Sequence, residues 1–215
     1  REIQRACGAA AANHKHSPFF FIGGAGISQG SIPLAEDIIE ECKQEVTRQG
    51  RSSIPAPQSK VPIDLYSYWF ELAYPQPADR QAYLEKLING RPISHANLRL
   101  AHILISGCIT KLVVTTNFDT LLAEAVHLFG EDVINCDHPA TSARIALDRN
   151  EIQILQVHGN HMFYDCCNLK DEIVQGKPSQ LGSLLGGILQ ERSPLVVGYS
   201  GWAGDVIVSA LEQHL

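Results

Sequence analysis

Five short runs rich in β-branched or aromatic residues punctuate the chain, at 18–22, 111–115, 132–136, 153–157 and 194–198. Most are apolar at consecutive rather than alternate positions, the pattern of strands buried on both faces. The stretches between them carry helical spacing. Strands alternating with helices predict a parallel sheet covered by helices, an α/β domain.

Between the first two runs, Leu34, Ile38, Cys42 and Val46 recur every fourth residue, so a helix is predicted there, with Ser31 as its N-cap and Pro33 in its first turn. Residues 47–62, "TRQGRSSIPAPQSKVP", are polar and proline-containing and read as a surface loop, placed to act as a lid. Residues 63–106 read as helical, with Tyr66, Phe70, Leu72, Leu84, Leu87, Leu98 and Leu104 as core positions of a small subdomain. There is no internal repeat.

Composition narrows the function classes. With 215 residues, 45% of them hydrophobic, the chain can bury the core of one large domain or of one domain with a small insertion. A formal charge of -6 provides no basic field to gather nucleic acid, and no direct nucleic-acid binding is expected. The six cysteines (Cys7, Cys42, Cys108, Cys136, Cys166 and Cys167) are scattered, several within apolar stretches, which predicts a reducing, cytoplasmic setting. No apolar run reaches membrane-spanning length, and the Ala-rich start is too charged for a signal-peptide core, so no membrane association is expected. The chain opens on Arg1 and stops at Leu215 within a helical pattern, which predicts a fragment of a longer protein with a further domain.

The candidate chemistry begins at "FFFIGGAGISQGSIP", residues 19–33. A glycine-rich turn between strand and helix lets the backbone approach a phosphate and aims N–H groups at negative charge, as a nucleotide pyrophosphate requires. Gly24-x-Gly26 followed by Gly30 is not the dehydrogenase spacing, and no acidic residue ends a second strand about 20 residues on, so hydride transfer is not expected. A glycine turn that only allows a helix to pack close to a strand is the alternative. Three later strands also end in polar residues: "VVTTNFD" supplies Asn117 and Asp119, "ILQVHGN" supplies His158, and "LVVGYSGWAGD" supplies Ser200 and Asp205. The carboxyl edge of an open α/β sheet is where ligands bind. Taken singly, Asn117 or Asp119 could cap the helix at "TLLAEAVHLF", and His158 could be a satisfied turn residue.

As an ordered series these motifs resemble the sirtuins and, more closely, the sirtuin-like NADases of bacterial anti-phage defence proteins. Gly24-Ala25-Gly26-Ile27-Ser28 with Ile32-Pro33 resembles the sirtuin phosphate loop, and Thr115-Thr116-Asn117-Phe118-Asp119 resembles its T-Q-N-I-D. His158-Gly159 resembles the catalytic His-Gly, Gly198-Tyr199-Ser200 sits where sirtuins carry Gly-Thr-Ser, and "ISHANLRLAHI" is similar to the helix before T-Q-N-I-D. The departures are Leu34-Ala35 for Phe-Arg, a first loop about one residue short, Thr116 for Gln, and a longer stretch from 117 to 158. Where sirtuin deacetylases carry two Cys-x-x-Cys pairs, this chain has only the adjacent Cys166-Cys167. A metal site of His158, His161 and that pair is therefore not expected.

The resemblance implies a Rossmann-like parallel sheet with helices on both faces and a small helical subdomain. It makes 1–215 a sirtuin-like NAD-binding catalytic domain, with 47–106 as polar loop plus helical insertion. It implies NAD as substrate, hydrolysed to nicotinamide and ADP-ribose or a cyclic product, with no zinc. By that resemblance Gly24, Ala25, Gly26 and Ser28 cradle the pyrophosphate. Thr116 contributes to binding, Gly198 and Ser200 face the adenosine half, and Asn117 holds the nicotinamide ribose. Asp119 orients that loop or faces the developing cation, and His158 is the base. An effector of this kind is expected to be held inactive until a homo-oligomer, further domain or partner protein releases it. A deacylase or ADP-ribosyltransferase, and a non-catalytic NAD or ADP-ribose sensor, are the alternatives.

Overall fold

The computed structural model describes residues 1–13, 15–51, 55, 57–163, 169–175 and 179–214. Five strands, β1 (Phe19–Gly23), β2 (Leu112–Thr115), β3 (Val133–Cys136), β4 (Ile152–Gln156) and β5 (Ser193–Val197), form one sheet in the order β3-β4-β2-β1-β5. Every pairing is parallel, and each strand lies within one residue of its predicted run.

Ten helices connect and cover the strands among the described residues: α1 (Glu2–Ala12), α2 (Ala35–Arg48), α3 (Pro62–Ala73), α4 (Pro77–Ile88), α5 (His95–Ser106), α6 (Leu121–Leu128), α7 (Pro139–Ser142), α8 (Lys170–Gln175), α9 (Ser179–Glu191) and α10 (Val206–His214). Strand residues alternate between two cores. Phe20, Ile22, Leu112, Val114 and Leu155 pack with Leu181, Leu185 and Ile188 of α9 and Val206, Ile207 and Ala210 of α10. Phe21, Val113, Ile152 and Ile154 pack on the other side with Leu100, Ala101 and Leu104 of α5 and Leu122, Ala125 and Val126 of α6. Helices on both faces make this a Rossmann-like α/β fold and explain why β1, β2 and β4 are apolar at nearly every position. The outer strands β3 and β5 are more exposed because each has a neighbour on one side only.

A third core joins α2, α3 and α4 through Ile38, Cys42, Val46, Tyr66, Trp69, Phe70, Leu84 and Leu87. The predicted helical subdomain is present only in part: α3 and α4 share this core with α2, whereas α5 of the same stretch packs on the sheet and takes Leu98 and Leu104 with it; of the predicted core positions, Leu72 and Leu98 are only half-buried. Burial pushes the Cys42 thiol up to about 12, so it acts as a small apolar side chain rather than a nucleophile.

The start of α2 corrects the sequence reading. Ser31 is not its cap and Pro33 is not in its first turn: the helix begins at Ala35, where Asp37 reaches back to accept from the Leu34 N–H at 3.1 Å. The Ser31 and Ile32 N–H groups are instead bonded to the Ser28 carbonyl, which extends the glycine turn and delays the helix. The predicted lid shrinks as well, because α2 runs to Arg48 and α3 starts at Pro62; residues 52–54 and 56 lie outside the described residues.

Candidate active site at the carboxyl edge of the sheet

The strand register sets Gly23 level with Thr115 and Val197, and Thr115 level with Gln156. The turns that follow these four residues therefore open at the same edge. They carry Gly24–Ser28, Thr116–Asp119, His158 and Gly198–Asp205, so the segments picked out from sequence are gathered at one rim.

The first turn is a single 3₁₀ turn, Ala25–Ser28, pressed onto the turn after β5. A Cβ on Gly24 would stand 2.6 Å from the Gly198 carbonyl oxygen and 2.6 Å from Tyr199 Cα. A Cβ on Gly26 would stand 2.8 Å from Gly198 Cα. The N–H groups of these glycines are committed: Gly24 donates to the Val197 carbonyl at 3.2 Å and Gly26 to the Gly198 carbonyl at 2.9 Å. These two glycines thus bring two backbones together, while Ala25, Gly198 and Ser200 are exposed at the rim.

Behind the turn lies a buried polar hub. Ser28, 2% exposed, donates from Oγ to Asp119 Oδ2 at 2.8 Å and accepts from Asn97 Nδ2 and Asn117 Nδ2, each at 3.2 Å. Asn117 Nδ2 also donates to Asp119 Oδ2 at 3.1 Å, and Asp119 Oδ1 accepts from the Leu121 N–H at 3.0 Å, capping the start of α6. Burial raises the Asp119 carboxyl above its ordinary value, against the lowering by Ser28, Leu121 and Asn117. Gln156 Nε2 donates to the carbonyls of Asn117 and Asp119 at 3.0 and 2.9 Å, so the end of β4 holds the loop after β2. Ser94 caps α5 by accepting from the Asn97 N–H, and its hydroxyl donates to the Ile27 carbonyl, which pins α5 to the 3₁₀ turn.

His158, 7% exposed, faces Asp205, which is fully buried at 0%. His158 Nε2 lies 2.9 Å from Asp205 Oδ2. The approach is bent, at ion-pair distance without a straight hydrogen bond, and neither atom has a hydrogen-bond partner elsewhere. The other carboxylate oxygen, Oδ1, accepts from Tyr199 OH at 3.0 Å and from the Ile207 N–H at 2.8 Å. Burial raises the Asp205 carboxyl, but His158, Ile207 and Tyr199 outweigh it and hold the group below its ordinary value. Burial and the adjacent Asp205 push the Tyr199 hydroxyl up, so it remains a donor.

His161, 1% exposed, presents Nδ1 to the Phe118 carbonyl at 2.8 Å and Nε2 to Asn89 Oδ1 at 3.2 Å, tying the Thr116–Asp119 loop to the end of α4. Both histidines of the rejected metal set thus have protein partners; Cys166 and Cys167 lie outside the described residues.

Asn97, Gln156, Tyr199 and the role of Asp205 are absent from the sequence-derived site. Gln156 was the most legible, as an amide at the end of an otherwise apolar strand; a buried Asn97 on a half-exposed helix gives no such signal.

Residues 111–208 match the family model described as a SIR2-like domain, a span from the start of β2 into α10 that contains Asn117, Asp119, His158, Ser200 and Asp205. No curated protein matches the chain. The glycine turn at 24–28 lies outside that span in the chain but packs against its Gly198 segment, so the part of the chain that is similar to a SIR2-like domain and the turn beside it share one edge, a similarity that points to NAD binding or use.

Proposed function

We propose that this domain hydrolyses NAD to nicotinamide and ADP-ribose, or to a cyclic product where a substrate hydroxyl or ring nitrogen replaces water. The observation that carries this reading is that the Asn117–Asp119 hub and the His158–Asp205 pair stand behind neighbouring strands at one edge of a SIR2-like domain.

Nicotinamide leaves a pyridinium as a neutral base and needs no general acid, so the barrier lies in the oxocarbenium-like ribose left behind. Asn117 holds the nicotinamide ribose and the water. Asp119, with both oxygens engaged by Ser28, Asn117 and Leu121, holds Asn117 and the loop in place, the first of the two roles the resemblance implies. As water bonds to the ribose carbon, His158 takes its proton, a transfer worth ~10²–10⁴ in rate. The exposed backbone at Ala25 and Gly198–Ser200 faces the pyrophosphate and adenosine, with Thr116 beside them. Gly24 and Gly26 shape that surface by close packing, and Ser28 acts from behind it through Asn117.

Such an activity fits an NAD-depleting effector of anti-phage defence, acting in the cytoplasm and released by homo-oligomerisation, a further domain or a partner protein, because unrestrained NAD loss would poison the host. No helix among the described residues is long and apolar enough to cross a membrane.

Incubating the full-length protein with NAD, with and without an acyl-lysine peptide, tests the reading. Nicotinamide release from NAD alone supports it. Release only with the peptide would make the domain a deacylase, and binding without release a sensor.

A further inference from the structure

Asp205 does more than an N-cap requires. Capping α10 uses Oδ1, which accepts from the Ile207 N–H and Tyr199 OH. Oδ2 takes no part in the cap and is directed instead to His158 Nε2, 2.9 Å away and equally buried. A carboxylate can only accept, so the imidazole nitrogen facing it must carry the proton; in neutral histidine the lone pair is then on the other nitrogen. The bent approach is common in catalytic pairs without substrate, which straighten as the site fills.

We infer that Asp205 is the positioning residue that fixes His158 as its Nε2–H tautomer, so that Nδ1 is the atom that accepts the proton from water or from a ribose hydroxyl. The inference rests on the reading of His158 as the base. It joins the two halves of the site: Tyr199 and Asp205 belong to the same turn as Gly198 and Ser200, so the turn facing adenosine also holds the base. The proton taken up at Nδ1 makes an imidazolium whose charge is balanced by the buried Asp205 carboxylate, and the C–N bond electrons leave with nicotinamide.

Asp205→Asn tests this, because one oxygen still serves Ile207 and Tyr199 while the amide NH₂ turned to His158 can only donate. Histidine ¹⁵N NMR on the full-length protein should show His158 as Nε2–H in the wild type and as Nδ1–H in the variant. Nicotinamide release should fall ~10²–10⁴-fold in kcat with KM within about threefold. A wild-type His158 found as the Nδ1–H tautomer overturns the inference without any variant. Wild-type kcat in a folded Asp205→Asn protein does the same. If the wild type releases no nicotinamide, the proposed hydrolysis fails on its own, and the tautomer still decides whether Asp205 sets the histidine.

Discussion

Ser28 Oγ donates to Asp119 Oδ2 across 2.8 Å, joining the turn after β1 to the turn after β2. Ninety-one residues apart in the chain, the two share a buried contact that also receives Asn97 and Asn117. Ser28→Ala would leave Asp119 buried with one donor fewer and take from the Asn97 amide its Ser28 acceptor, while Asn117 keeps only its bond to Asp119. An unsatisfied buried group costs about 1–3 kcal/mol. Urea unfolding should show a loss of that size, with reduced NAD turnover because Asn117 loses one of its two anchors; unchanged stability would mean the hub is not closed in solution.

His158→Ala and Asn117→Ala should each abolish NAD cleavage, by ~10²–10⁴ for the base and roughly 10²–10³ for one preorganised polar contact. From sequence alone, both side chains face the cleft and their loss should leave stability almost untouched. The structure changes that expectation, because Asn117 is tied into the hub and His158 is the partner of a carboxylate with 0% exposure. Each variant should therefore also lose about 1–3 kcal/mol while keeping its circular dichroism. Near-normal nicotinamide release by folded His158→Ala would show that another group is the base.

The strands were legible because their burial is a local matter: on a strand covered on both faces, Val113 on one side and Val114 on the other must each be apolar whatever their distant neighbours. The carboxyl-edge residues were legible because polar groups such as Asn117 and His158 interrupt apolar runs. The inner support was not. Asn97 lies on α5 and meets Ser28 only through tertiary packing, and Asp205, marked in sequence only as a polar residue after the last strand, meets His158 in the same way. Ser31 misled for a related reason, since cap residues favour turns as readily as helix starts and here the turn won.

The two buried carboxyls should pull stability in opposite directions with pH. Asp205 is held below its unfolded value of about 3.9, so its contribution is full above that value and is lost as pH falls through its lower folded value. Asp119 is held above, so its contribution is full below about 3.9 and is lost as pH rises through its higher folded value. Subtracting the stability curve of Asp205→Asn from that of the wild type should leave a difference that falls on acidification. The same subtraction for Asp119→Asn should leave one that falls as pH rises. Two curves of the same sign would refute the assignment of both environments.

Adding a single methyl at Gly198 should do far more harm than adding one at Gly182. Gly198 has φ of 64°, in the region that side chains avoid, and its Cβ would stand 2.7 Å from the Ile27 backbone nitrogen and 2.8 Å from the Gly26 carbonyl carbon. Neither neighbour is a flexible side chain, so the turn after β5 must lift away from the 3₁₀ turn. The backbone conformation alone costs of order 1–3 kcal/mol, and the displacement would carry Tyr199 and Asp205 with it, disturbing both the rim proposed to face adenosine and the hold on His158. Gly182 lies within α9 with nothing within 4 Å of a Cβ placed on it. There the same methyl removes the entropic cost of a helical glycine, a gain of roughly 0.5–1 kcal/mol. Thermal melting of Gly198→Ala and Gly182→Ala should move the midpoint down and up respectively, with NAD turnover lost only in the first. A Gly198→Ala protein that melts like the wild type and turns over NAD normally would mean that the two loops are not in contact in the working enzyme.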